Sequence, residues 1–159
     1  MSALKLYQPV VAPGFIYGDQ IRQEAVTKVV TSAQVLALNA TPVTLVAAPG
    51  AGWALLLDTI EIIKPAGTAY GGIGAGEDLS VKYTDASGTE LTRIASTGFL
   101  DQTTIQVRVG HEYRAASGLA GFTPVANAPM VLHLLVGEII TGTSPLHCKV
   151  VYKVIPMTV

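Results

Sequence analysis

The stretch Asp78-Leu79-Ser80-Val81-Lys82-Tyr83-Thr84, followed at once by Asp85-Ala86-Ser87-Gly88, decides the fold class. Leu79, Val81 and Tyr83 alternate with polar Asp78, Ser80, Lys82 and Thr84. Successive side chains of a strand leave opposite faces, so this period of two marks a strand with one face buried. Asp85 to Gly88 has turn chemistry, and residues 89–95 are expected to return as the partner of a hairpin.

The same grammar extends in both directions. Residues 25–31 are a Val/Thr-rich strand candidate. Residues 32–39 suit one or two helical turns, with Ser32 as N-cap and Asn39 as stop. Residues 42–48 read as a strand closed by the turn Pro49-Gly50-Ala51-Gly52. The strand expected over 53–63 is apolar on both faces through Leu57 and mixed after Asp58. Ile105, Val107 and Val109 alternate with Thr104, Gln106 and Arg108, and the apolar set is expected to be ordinary core, like that around Val81 and Val150. A strand over 130–140 precedes Gly142-Thr143-Ser144-Pro145. The last strand then sets Leu146, Cys148, Val150, Tyr152 and Val154 against His147, Lys149 and Lys153. About eight strands without a long amphipathic helix give an all-β domain: a β-sandwich, a jelly roll or a closed barrel.

Residues 1–24 differ from this domain, which is expected to occupy 25–159. Pro9, Pro13, Gly14 and Gly18 break regular structure there, yet Leu4, Leu6, Tyr7, Val10, Val11, Phe15, Ile16 and Tyr17 are apolar. A disordered tail is usually polar and charged. This composition predicts an extended N-terminal arm that packs on its own domain or on a neighbouring subunit.

Composition narrows the function. Charged residues are 13% of the 159-residue chain and hydrophobic residues 50%, against roughly 25% charged in an ordinary domain. No run reaches the ~18 apolar residues of a spanning helix. Net charge is −1, which gives no general attraction to nucleic acid or anionic lipid. The missing charge therefore points to burial between subunits. One cysteine, Cys148, allows no internal disulfide.

Catalytic signatures are absent. His111, His133 and His147 have no local ligand spacing, and His147 and Cys148 fall on opposite faces of one strand. Gly71-Gly72-Ile73-Gly74-Ala75-Gly76 invites a phosphate-loop reading, but Glu77 stands where the third glycine belongs and a strand follows instead of a helix. Residues 65–77 are better read as a mobile or tightly turning surface loop, in which Tyr70 is a contact residue or a loop anchor. Asp58 and Glu61, three apart on a strand, are expected on opposite faces and so not as an acid/base pair. Asn39-Ala40-Thr41 fits a glycosylation sequon, expected to be coincidental because the N-terminus lacks the basic start and apolar core of a signal peptide. No enzyme activity, cofactor or metal is expected.

Residues 32–155 resemble small virion proteins of tailed bacteriophages, of the capsid decoration (cement) kind. The resemblance lies in the run from Ala37-Leu38-Asn39-Ala40-Thr41-Pro42 to Pro49-Gly50-Ala51-Gly52, in Asp78 to Tyr83, and in Asn127-Ala128-Pro129-Met130-Val131-Leu132-His133 with Gly142-Thr143-Ser144-Pro145-Leu146 and the final Val/Tyr strand. It implies a β-sandwich or jelly roll that binds the major capsid protein on the outer capsid surface as a homo-oligomer, a trimer before a dimer. It implies a virion protein made in the bacterial host cytoplasm, with neither nucleic acid nor membrane as partner. The expected contact residues are those of the arm together with Tyr70, Ile73, Leu119 and Phe122. The alternatives are a tail, baseplate or fibre component, and a carbohydrate-binding sandwich using Trp53, Tyr70 or Tyr113 as a stacking platform.

Overall fold

The computed structural model describes residues 21–112 and 123–157. The arm residues up to Tyr17, together with Tyr113, Leu119 and Phe122, lie outside them. Within them the chain forms β1 (Arg22–Val30), α1 (Ser32–Leu36), β2 (Val43–Val46), β3 (Trp53–Lys64), β4 (Leu79–Tyr83), β5 (Glu90–Ile94), β6 (Gln106–His111), β7 (Met130–Leu134) and β8 (Leu146–Pro156). Two antiparallel four-stranded sheets result, ordered β1-β8-β3-β6 and β2-β7-β4-β5. One core joins them: Leu55, Leu57, Ile60 and Ile62 of β3 share it with Val81 and Tyr83 of β4 and with Leu132 and Leu134 of β7. Burial of this kind stabilises by about 25 cal/mol per Å² of apolar surface.

The pairing is nested. The first strand pairs with the last, β2 with β7, β3 with β6, and β4 with β5. Pairs β3–β8 and β4–β7 complete the sheets.

The hairpin expected after Tyr83 is present. The Asp85 carboxylate accepts from the Ser87 N–H at 2.8 Å and the Ser87 hydroxyl at 2.7 Å. A Cβ at Gly88 would lie 1.6 Å from the Tyr83 carbonyl oxygen, so the turn closes only with glycine there. β8 also alternates as expected, with Leu146, Cys148, Val150, Tyr152 and Val154 buried.

Elsewhere the boundaries move. β1 starts at Arg22, inside the segment read as arm. The helix is capped by Thr31 instead of Ser32. Thr31 Oγ1 accepts from the Gln34 N–H at 3.3 Å, and the Gln34 side chain accepts from the Thr31 N–H at 2.9 Å, a reciprocal capping box. β7 stops at Leu134, because the chain then turns away through Gly137 (φ +76°). The Ile140 N–H donates to the Gly71 carbonyl instead of extending β7.

Two errors of phase matter more. Ile105, Val107 and Val109 are not core; they are 63%, 46% and 55% exposed. Val107 pairs with Ile63 and Val109 with Glu61, and paired residues share a face. Ile60 and Ile62, fully buried, point the other way. The inner side of β6 carries Arg108 and Gly110, where a Cβ at Gly110 would come within 3.1 Å of Ile60 and Thr92. The core there is already filled from β3 and β5.

The second error lies in β3. Its register against β8 shifts between Leu57 and Thr59, which makes Asp58 the extra residue of a bulge. A bulge inverts the alternation beyond it. Asp58 and Glu61 therefore lie on the same, outer face and not on opposite ones.

Candidate interaction surface

The chemistry-bearing side chains do not converge. His111 pairs with Thr59 on the outer face of the first sheet, His147 pairs with Ile63 on that face, and His133 lies on the opposite sheet. His147 and Cys148 face opposite ways, as expected; Cys148 is buried, and burial pushes its thiol up to about 12. Among the described residues no three His, Cys, Asp or Glu side chains are placed to hold a metal. Asp58 shares a face with Glu61 but is committed elsewhere, to Lys153 Nζ at 3.1 Å and Gln23 Nε2 at 3.1 Å. An open cleft of about 650 Å³ beside β6 is lined by Thr92, Arg93, Gly110, His111 and Glu112 among others.

The glycine loop turns tightly. Its Glu77 carboxylate accepts from the Gly74 N–H at 2.5 Å, so a side chain of the chain itself occupies the turn that a phosphate would need. The loop is tied to the body by Gly67 N–H to the Thr103 carbonyl, 3.0 Å, and Tyr70 N–H to the Leu100 carbonyl, 3.0 Å. Tyr70 is 2% exposed, and its hydroxyl donates to the Ser144 carbonyl. Of its two readings, the structure gives the anchor, which also removes it as a stacking platform. Burial pushes its hydroxyl up to about 12. Ile73 is half-buried against the core. Trp53 is half-buried too, with the Arg22 guanidinium 5.5 Å above its ring. Asn39 is used structurally, donating to the Leu134 carbonyl at 3.0 Å.

Sequence reasoning missed Lys64. Its side chain turns inward at the end of β3 and is fully buried, with Nζ donating to the Gln102 carbonyl at 2.6 Å. Burial lowers its pKa, while Asp101 acts in the other direction. Charge at a strand end normally reads as surface, and only the long-range contact with Gln102 reveals otherwise.

What the structure does gather is an outer face. Strand register lines up Val29, His147, Ile63 and Val107 in one row of the first sheet, and Thr27, Lys149, Glu61 and Val109 in the next. A third row holds Ala25, Val151, Thr59 and His111. The exposed valines of this face are Val29 on β1 and Val107 and Val109 on β6, at its two edges. The opposite sheet differs: outward-pointing Val131 and His133 are 3% and 4% exposed. The residue 39 carbonyl lies 3.1 Å from His133 Nε2.

Comparison with family models, curated proteins and solved structures found no match.

Proposed function

We propose that the chain is a structural virion protein of the capsid decoration kind, a homo-oligomer that binds the major capsid protein on the outside of a bacteriophage head and stabilises it. The observation that carries this reading is the outer face of the first sheet. There Val107 and Val109 stand exposed beside rows poor in charge, with Ile105 exposed just before β6. Interface cores are depleted in charge and rich in apolar groups, and a contiguous exposed apolar patch marks a contact surface.

We read the nested pairing as a jelly roll: an antiparallel ribbon, tipped by the β4–β5 hairpin, rolled so that successive pairs alternate between sheets. That architecture serves viral capsids, lectins and metal-binding cupins. The outward, divergent placement of the three histidines on three strands argues against the metal-binding use. The buried state of Tyr70 weakens the lectin-like use.

The test is co-sedimentation of the purified chain with capsids that lack it. Saturable binding at sites repeated over the shell is expected. Failure to bind capsids in any maturation state overturns the proposal, and binding confined to tails or baseplates replaces it with the tail-component reading.

A further inference from the structure

Four strands lie at sheet edges: β1 and β6 in the first sheet, β2 and β5 in the second. An edge offers unpaired N–H and C=O groups to any passing strand, and proteins blunt it with charge, proline, bulges or shortness. β1 carries exposed Arg22, Glu24 and Lys28. β2 is four residues long, follows Pro42 and shifts register between Thr44 and Val46. β5 carries Glu90 and Arg93, and its pairing with β4 is also irregular.

β6 is the least guarded of the four, its single guard being the inward-turned Arg108. It pairs with β3 in unbroken register, contains no proline, lysine or carboxylate, and turns Val107 and Val109 to solvent. Its one fixed charge faces inward: Arg108 Nη2 donates to the Gly98 carbonyl at 2.6 Å, and the guanidinium lies 5.3 Å from the Phe99 ring. Arg108 Nη1 also donates to the Val107 carbonyl at 3.0 Å, a bond that strand addition would exchange. Among the described residues no strand pairs with this edge.

We infer that β6 is a homotypic pairing edge: two copies join β6 to β6, antiparallel across a two-fold axis, into one eight-stranded sheet. This rests on the homo-oligomeric reading above and makes the contact two-fold, where the resemblance favours a trimer. A second copy fits because the strand is self-complementary. Pairing centred on Val107 sets Val107 opposite its own copy on the outer face, and brings exposed Ile105, just before β6, opposite the partner's Val109. It brings Gln106 opposite the partner's Arg108, so no like charges meet. Such an isologous contact closes on itself and leaves no free edge to propagate.

Sedimentation velocity of the full chain tests this. A dimer is expected, and Val107→Lys is expected to give a folded monomer by circular dichroism, while Val29→Lys on the opposite edge remains dimeric. Oxidation supplies a register test. Val107→Cys, on the axis, should cross-link into covalent dimers, because directly opposed residues lie within the usual disulfide span. Ile105→Cys should not cross-link. A wild-type monomer or trimer, a dimer that survives Val107→Lys, or equal cross-linking of both cysteine variants overturns the inference. Capsid binding by a trimer would overturn it while sparing the proposed function; a dimer that ignores capsids would do the reverse.

Discussion

The two sheets turn different outer faces to their surroundings. On the β2-β7-β4-β5 sheet, Val131 and His133 point away from the core yet are almost fully buried, and the segment after α1 is clipped along β7. Asn39 donates to the Leu134 carbonyl, and the Leu134 N–H donates to the Leu38 carbonyl. On the β1-β8-β3-β6 sheet, Val107 and Val109 point away from the core and stay open. Outward direction and exposure are thus separate properties. Among the described residues, the segment after α1 lies along β7 on one outer face, and the valines of β6 on the other stay exposed.

Truncating the two kinds of outward valine should separate the faces most strongly. Val131→Ala is expected to cost about 2 kcal/mol, the transfer and cavity terms of two buried methyl groups. Urea unfolding checks this, and a loss under about 0.5 kcal/mol would mean the face is not truly covered.

His133 tests the same cover by pH. Burial, the largest cause, and the nearby Lys82 hold its pKa below the ordinary 6.5, against the opposing hydrogen bond to residue 39. The folded state therefore takes up this proton less readily than the unfolded chain, so stability is full above 6.5 and falls as pH drops below it. The decline from this group ends once the pH passes beneath the lowered folded-state pKa. Unfolding midpoints at a series of pH values should show that slope, and His133→Gln should flatten it below pH 6.5.

On the open face, effects should be small. Asp58→Ala frees Lys153 and Gln23, but the ion pair is more than one-third exposed on both sides, so a loss of no more than about 1 kcal/mol is expected by urea unfolding. Val107→Ala should change monomer stability by less than about 0.5 kcal/mol, measured at concentrations too low for association. A loss comparable to that of Val131→Ala would erase the distinction between the faces.

The sequence carried the fold wherever alternation met a buried partner face. Leu79, Val81 and Tyr83 followed by Asp85 to Gly88 announced their hairpin, and Leu146 to Val154 announced the last strand. It misled where long-range register sets the face. Alternation around Val107 is the same whether the valines point in or out; only the pairing with Ile63 and Glu61 decides, and a shift of one position inverts every side chain. The Asp58 bulge is of the same kind, since an extra residue opposite β8 leaves no local mark. Of the candidate contact residues, Tyr70 was ambiguous because a glycine-rich loop says nothing of the Ser144 carbonyl that anchors its hydroxyl. The outward stripe of β6 was legible as residues and illegible as a surface.

The most direct measurement of the central claim is cryo-microscopy of capsids reconstituted with the purified chain. Ordered copies of this two-sheet sandwich are expected, repeated over the outer shell, with the β1-β8-β3-β6 face covered by a neighbouring copy or by capsid protein. An undecorated shell, or a bound chain whose β1-β8-β3-β6 face points to open solvent, would contradict it.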